Sequence, residues 1–461
     1  FSKPKDMPLD LSFDLLLQKG ATLGGDFAVK FKELSMKGNL KDLDLKTGQG
    51  QLNLITNKFS MTGWEAYIPA LQRYKLEGDV KLMANWKGDL RKLEKAEHIF
   101  NVTFDNAAWT VPEGLGIRNA SLSLDYSPML LEGRQMQLGL GGGAVVMDLK
   151  ISGFPEKPQV LAKVTSKELK PLEAWNAITA LLQNKGAAGT PDAYAPPRDF
   201  LKMLFSSGEV LKNVTAEASY NGSVWDVPVL QFESYGGKAD LKGTLGFKEK
   251  EPEYRMEGAF QGIDLGLFMS RQDTAQKILE GALALKGSVE GKGWGPEAWG
   301  KSLTGQGELT LTNGQFLNFD LKDSLSTIEP FASLGTIVPS LRAFDSMNFQ
   351  WKMSEGKAMT DNLLVKHADY VMDGEGTLGF DGLANFRMDV FLSSTIAAKL
   401  LPALTKPFAK NPQAHLGPIP TLLAGPMLTP EVKPNPAQIE ELKEKIRKGK
   451  AKDILVELVI E

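Results

Sequence analysis

The sequence predicts a mainly β protein: one long, strongly twisted, curved antiparallel sheet of stacked hairpins, with a few helices at its edges or ends. Three observations predict this fold class. Segments with alternating apolar and polar residues recur along the chain, one apolar face per strand is typical of half-buried antiparallel strands, and the helical patterns are too few to connect so many strands in parallel. Residues 74–86 alternate most clearly, with Leu76, Val80 and Trp86 on one face.

Short strands are predicted from the N-terminal part of the chain onwards. Glycine-containing segments separate the first four, at residues 9–17, 27–31, 40–45 and 52–59. Residues 303–321, LTGQGELTLTNGQFLNFDL, are predicted to form a β-hairpin. Its first strand ends near Leu311, Asn313 followed by Gly314 favours a two-residue turn with positive φ, and Phe316 begins the returning strand.

Sequence repeats connect distant strands. The segment NASLSLDY from Asn119 aligns with NVTAEASY from Asn213, and Asp-Leu-Lys follows at 148–150 and at 240–242. The segment GTLGF occurs at 243–247 and again at 376–380. The shared order of these matches predicts repeated β units within one extended sheet.

Helical periodicity interrupts the strands in a few places. The predicted helical segments are residues 169–183, 199–205, 265–280, 323–341 (interrupted by Pro330 and Pro339), 396–409 and 439–448. Residues 186–198, rich in glycine, alanine and proline, are predicted to be a linker. We expect the helices to pack at one end or one edge of the sheet.

Composition narrows the functional classes. The 461 residues carry a net charge of -3 without a long basic block, which argues against nucleic-acid binding. The absence of cysteine excludes disulfides, thiolate nucleophiles and cysteine zinc sites. No run of about 18 apolar residues is present, so we expect that this sequence does not span a bilayer.

Catalytic and metal-binding motifs are nearly absent from the sequence. His98, His367 and His415 are far apart, and none has an acidic or histidine partner at a ligand spacing. The glycine-rich segment from Gly139 lacks the lysine of a phosphate-binding loop, so we expect a bulge or kink there. We therefore predict that the protein is not an enzyme and has no metal or cofactor; a hydrolase site assembled only by the fold stays open as an alternative.

Alternation places nine apolar residues of the C-terminal half on one face of the sheet, with polar neighbours such as Thr310 and Asp389 on the other. The nine candidates are Leu309, Leu311, Phe349, Trp351, Met353, Leu378, Phe386, Met388 and Val390. Two interpretations are open. The face is either the inward side of a self-packed sheet or a groove that binds an apolar ligand such as lipid tails.

A characteristic order of motifs runs from Gly262 to about Pro434. It comprises IDLGLFM, LKGSVEGKG, SLTGQGELTLTNGQFLNFDL, LLVKHADYVMDGEGTLGF and, from Pro418, PIPTLLAGPMLTPEVKP. In this order the chain resembles the C-terminal region of the AsmA family of envelope proteins, which is related to TamB and to bridge-like lipid transfer proteins. Residues 74–260 look like weaker repeats of the same kind.

The resemblance implies a taco-like sheet that encloses a hydrophobic groove and binds or conducts phospholipid or another acyl lipid. It also implies the periplasm of a diderm bacterium, an inner-membrane anchor through an N-terminal helix outside this sequence, possible envelope protein partners, and a role in outer-membrane biogenesis and lipid homeostasis. It carries over no catalytic residue. The alternative is a scaffolding envelope protein with a self-packed core and no lipid cargo.

The predicted organisation has six parts. They are an N-terminal β region (1–73), a β repeat region with a helix (74–185), a linker (186–198), a second β repeat region (199–260), the AsmA-like C-terminal region (261–434) and a charged C-terminal helix or tail (435–461).

Overall fold

In the part of the chain that the structure describes, the strands form one large, open antiparallel sheet of 24 strands, accompanied by a few helices. This architecture confirms the predicted fold class; the curvature of the sheet and the enclosed groove stay predictions. The computed structural model describes residues 8–18, 20–68, 71–72, 74–92, 96–111, 116–153, 157–182, 208–247, 251–271, 277–402, 405–448 and 454–458.

The strands are numbered in chain order. They are β1 (Leu9–Gln18), β2 (Thr22–Phe31), β3 (Leu34–Asp44), β4 (Gln49–Thr56), β5 (Phe59–Ser60), β6 (Lys75–Asp89), β7 (Glu97–Thr110), β8 (Gly116–Ser127), β9 (Leu130–Leu140), β10 (Gly143–Ser152), β11 (Gln159–Leu169), β12 (Leu211–Tyr220), β13 (Val224–Ser234), β14 (Gly237–Gly246), β15 (Glu253–Asp264), β16 (Leu279–Lys292), β17 (Thr304–Phe316), β18 (Ala343–Ser354), β19 (Lys357–Lys366), β20 (Tyr370–Gly379), β21 (Leu383–Ser393), β22 (Ala414–Pro426), β23 (Glu431–Pro434) and β24 (Leu455–Glu457).

The described helices are short. They are α1 (Pro171–Leu182), α2 (Leu265–Arg271), α3 (Pro296–Ser302), α4 (Leu321–Leu325), α5 (Leu334–Ile337), α6 (Ser394–Leu400), α7 (Thr405–Lys410) and α8 (Pro436–Arg447), with 3-10 turns at Trp64–Ala66 and Glu329–Phe331.

The chain divides into two compact units. Unit 1 comprises residues 1–232 and 246–248, and unit 2 comprises residues 233–245 and 249–461. Each unit contains its own cluster of buried apolar residues. The six-part organisation expected from the sequence is finer than this division and stays a prediction.

The predicted hairpin at residues 303–321 is wrong. β17 continues through Asn313 and Gly314 and pairs with β16 on one side and β18 on the other. Asn313 has the expected positive φ of 51°, but the register with β16 shifts at Gly281, so the extra residue forms a β-bulge. A two-residue turn instead joins β9 to β10 at Gly141 and Gly142, where both φ angles are positive.

The repeated segments share a backbone feature. Asn119 in β8 and Asn213 in β12, the first residues of the two aligned segments, have φ angles of 49° and 51°. Asparagine tolerates this left-handed conformation better than most residues. Beside Asn119 the register between β8 and β9 shifts, so at this position the conformation belongs to a β-bulge.

The helix predictions differ in their outcome. α1 confirms the predicted helix at 169–183, and α8 confirms the one at 439–448. The segment predicted at 323–341, with interruptions at Pro330 and Pro339, is divided among α4, the turn Glu329–Phe331 and α5, and 396–409 is divided between α6 and α7. α2 covers the start of the helix predicted at 265–280, whereas Leu279 and Glu280 belong to β16. Residues 272–276, the predicted helix at 199–205 and the predicted linker at 186–198 lie outside the described residues.

Candidate functional site

The apolar face of unit 2 is built by pairing of apolar residues on neighbouring strands. Leu285 of β16 pairs with Leu309 of β17, and Leu309 pairs with Phe349 of β18. On the C-terminal strands, Val390 of β21 pairs with Ile419 of β22. Directly paired residues of antiparallel strands project from the same face, so these side chains form apolar rows across the sheet.

A helical segment of the same unit covers part of this face. We call residues 321–341 the plug; it contains α4, the turn Glu329–Phe331 and α5. Seven of its apolar side chains belong to the core cluster and expose 8% of their surface or less: Leu321, Leu325, Ile328, Phe331, Leu334, Val338 and Leu341. α4 follows β17 in the chain and contacts β23. The plug therefore fills the face between these two strands.

The nine predicted groove residues fall into three groups. Those in the same buried cluster as the plug are Leu311, Met388 and Val390, which are 0%, 4% and 0% exposed. Partly buried residues that pack against this cluster are Leu309, Phe349, Leu378 and Phe386. Trp351 and Met353 lie further along β18 and outside the cluster, Trp351 buried and Met353 partly exposed. The unit's own chain thus fills part of the predicted groove.

Trp351 packs over glycines of two neighbouring strands. A Cβ atom would lie 2.7 Å from its Cζ2 atom if placed on Gly287, and 2.6 Å if placed on Gly307. On Gly305 a Cβ atom would lie 3.2 Å from Cζ3. Larger residues at these positions would displace the indole. The Nε1 of Trp351 is buried and has no hydrogen-bond partner in the part of the chain that the structure describes.

Asp320 joins the two ends of the plug. Its carboxylate accepts hydrogen bonds from the N–H of Lys322 at 3.0 Å, the N–H of Leu341 at 2.9 Å and the hydroxyl of Ser340 at 2.7 Å. The Nε of Arg342 lies 3.4 Å from the same carboxylate. Burial alone would raise the pKa of Asp320, but the three hydrogen bonds outweigh it and the net pKa is lowered.

Unit 1 carries a longer apolar row that the sequence analysis did not identify. Direct cross-strand pairing connects one residue of each strand from β1 to β12, except for the two-residue β5. The row is Phe13, Phe27, Gly38, Leu54, Ala84, Phe100, Tyr126, Leu131, Ile151, Val160 and Tyr220. Every member except Gly38 has an apolar or aromatic side chain, so one face of unit 1 is apolar from strand to strand.

Most side chains of this row remain partly accessible. Phe13 is 63% exposed and Tyr126 is 39% exposed, whereas Ala84 is buried. Aromatic rings cluster in the middle of the row: the centroid of Phe100 lies 4.9 Å from that of Trp86 and 5.9 Å from that of Tyr126. The result is a wide apolar surface of the kind that marks ligand or partner binding.

Among the described residues, the segment between β5 and β6 covers one end of the apolar face of unit 1. Trp64, Leu71 and Tyr74, between β5 and β6, pack against a buried cluster at the start of β6 and β8 and the end of β7 and β9. That cluster consists of Phe59, Met61, Leu76, Val80, Ala107, Ala120 and Leu138. Phe100 and Tyr126 lie nearer the other ends of β7 and β8 and outside this cluster.

The sequence contained a signal for the unit 1 row. Tyr126 and Tyr220 end the two aligned repeat segments, and both lie in the row. The alternation of residues 74–86 also places Ala84 on the apolar face. What alternation does not supply is the register that sets Ala84 between Leu54 and Phe100.

The polar face of unit 2 has a separate cavity of about 880 Å³ beside α8. Asp373 and Asp389 are directly paired across β20 and β21 and line this cavity. Burial raises the pKa of both carboxyls, and the charge of Asp389 raises that of Asp373 further. Two carboxyls alone do not form a binding site.

The histidines occupy separate environments. The Nδ1 of His98 lies 2.8 Å from the carbonyl oxygen of Ala96, and the Nδ1 of His367 accepts a hydrogen bond from the N–H of Asp369 at 3.2 Å. Burial lowers the pKa of His415. Across the described ranges, no three His, Cys, Asp or Glu side chains are placed to hold a metal ion together.

Comparisons with known proteins do not assign the chain to a family. A scan of protein-family models, a search of curated proteins and a search of solved structures each returned no match. In the part of the chain that the structure describes, no helix combines the length and the hydropathy that a membrane crossing requires.

Proposed function

We propose that this chain is a periplasmic, AsmA-like protein that binds or conducts phospholipid or another acyl lipid on the apolar face of its sheet, as part of outer-membrane biogenesis and lipid homeostasis. The observation that carries the proposal is the apolar row of unit 1 from Phe13 to Tyr220. Acyl chains need a continuous apolar surface and no directional hydrogen bonds, and a row of partly exposed apolar side chains supplies that surface.

A second candidate function is a structural envelope protein with a self-packed core and no lipid cargo. The plug favours this candidate, because Leu325, Phe331 and Leu334 fill the apolar face of unit 2 with the chain's own side chains. Lipid binding is favoured by the partly accessible row of unit 1, where Phe100 and Tyr126 lie outside the buried cluster that the described segments cover.

The two functions differ in whether the purified protein carries lipid. The first measurement is extraction and mass spectrometry of lipid from wild-type protein incubated with vesicles of phosphatidylethanolamine and phosphatidylglycerol. The second compares Phe100→Glu with Ile99→Glu. These neighbours in β7 project from opposite faces, and Ile99 is 56% exposed, so its replacement changes charge without touching the apolar row.

If the row binds acyl chains, Phe100→Glu loses most of the extracted lipid, whereas Ile99→Glu retains it. A charge in the path of hydrocarbon is the physical cause of this loss. Circular dichroism confirms that both variants are folded. Wild-type protein without lipid after incubation would favour the scaffold, and equal lipid in the two variants would exclude the unit 1 row.

A further inference from the structure

We propose that the plug is a displaceable lid, closed by Asp320, that occupies an acyl-chain site on the face of unit 2. This inference rests on the proposed function, since it takes lipid as the ligand. It adds that the chain blocks one part of its own binding surface, and that opening depends on the ends of the plug.

The polar ties of the plug to its surroundings are concentrated at its two ends. At the first end, Asn318, just before the plug, donates from Nδ2 to the carbonyl oxygen of Met427 at 2.8 Å. Lys322 joins this end to the other, because its Nζ donates to the carbonyl oxygen of Pro339 at 2.9 Å. Asp320 binds the backbone N–H groups of Lys322 and Leu341 and thereby closes the loop.

The middle of the plug depends on apolar contacts. The hydrogen bonds recorded for residues 323–338 in the described structure stay within the plug and its immediate start, as in Ser326 to Lys322 and Val338 to Leu334. Helices of four or five residues are not stable by themselves. The middle therefore holds its place through burial of side chains such as Phe331 and Leu334, and burial is a non-directional interaction that an acyl chain supplies equally well.

A ligand has a route to this site along the same face. Leu309, Phe349, Leu378 and Phe386 are partly exposed and pack against the cluster that contains the plug. An acyl chain that lies on these residues needs to advance only along the strands to meet the plug. The apolar surface is continuous between the two positions, because Leu309 and Leu311 belong to the same strand and the same face.

The test breaks the closure without touching the apolar face. Asp320→Ala is compared with the matched control Glu329→Ala, which removes an exposed carboxylate in the turn Glu329–Phe331. Amide hydrogen exchange of residues 323–338 reports opening, and binding of cis-parinaric acid reports access for an acyl chain. Because hydrogen bonds to a charged group are lost, we expect about tenfold faster exchange or more in Asp320→Ala, together with additional bound probe. The control matches wild type in both.

The second measurement needs no variant to fold. It compares amide hydrogen exchange of residues 323–338 in wild-type protein with and without cis-parinaric acid. Faster exchange on addition of the probe supports the lid. Unchanged exchange overturns it, as does faster exchange in Asp320→Ala without additional bound probe. If wild-type protein binds the probe, Phe100→Glu loses it and either negative result is found, the lid is excluded and the proposed function stands. If only Asp320→Ala binds the probe, the site beneath the plug is supported and binding on the unit 1 row is excluded.

Discussion

Unit 1 and unit 2 present the same kind of apolar face, but they treat it differently. In unit 1, cross-strand pairing aligns residues such as Phe100 and Tyr126 in a row whose side chains stay partly exposed. In unit 2, the equivalent arrangement of Leu311 and Val390 is fully buried, because the plug lies on it. An apolar face in a β sheet is therefore not by itself a groove. The segment between two strands decides whether the face is open or filled.

The two faces also differ in what their side chains contribute to stability. Side chains of the filled face contribute to stability through tight packing, so a change there acts on folding. Side chains of the partly open face contribute less to stability and remain available for a ligand. The expected effects below run from the largest to the smallest.

A buried charge gives the largest expected contrast. Met388→Asp places a carboxylate at a position that is 4% exposed, and we expect a loss of several kcal/mol in the free energy of unfolding of unit 2. Phe100→Glu in the partly exposed row of unit 1 should cost markedly less. Calorimetry of both variants measures the two losses. Equal losses would mean that the two faces are packed alike.

The closure of the plug should make unit 2 sensitive to acid. The pKa of Asp320 is lowered from its ordinary value of 3.8, so its stabilising contribution is fully present above that value and disappears as pH falls through the folded-state pKa. Asp320→Asn should cost about 2 kcal/mol at neutral pH, and the difference from wild type should shrink below the ordinary value. Thermal melts across this pH range test the sign; a difference that grows in acid would contradict the assignment.

The carboxyl pair on the polar face of unit 2 should act in the opposite direction. The raised pKa values of Asp373 and Asp389 mean that ionisation destabilises the fold, so their contribution to stability falls as pH rises above the ordinary value of 3.8. Asp389→Asn should raise stability at neutral pH by up to about 1 kcal/mol, with no gain in acid. The same melts with Asp323→Asn as control would show no gain at either pH if the effect is specific.

The smallest effect concerns the polar face of unit 1. Lys163 and Glu217 are cross-strand partners whose charged atoms lie 2.8 Å apart, with 54% and 40% of the two side chains exposed. Exposed ion pairs are screened and contribute little, so Glu217→Gln should leave the melting temperature unchanged within error. A clear loss, removed by high salt, would mean that this polar face supports unit 1 more than its exposure indicates.

The sequence by itself determined the fold class and the existence of an apolar face, because the alternation of residues 74–86 and of 349–353 follows directly from the two-residue period of a strand. It also marked Asn313 as a position of positive φ. It did not determine whether such an asparagine makes a turn or a bulge: the same positive φ serves both, and at Asn313 the pairing of β17 with β16 and β18 selected the bulge.

Only the tertiary structure decided which apolar positions are covered and which are accessible. Leu311 and Tyr126 are equivalent in a sequence pattern, since each is an apolar or aromatic residue between polar neighbours in a strand. The plug comes from a segment that follows β17 and contacts β23, whereas in the described part of unit 1 the segment between β5 and β6 packs against a cluster at one end of the strands. The alternation of apolar and polar residues reflects only which face of its own strand, and of the adjacent strands, a side chain occupies. The covering of a face depends on segments distant in sequence, so no local pattern contains it.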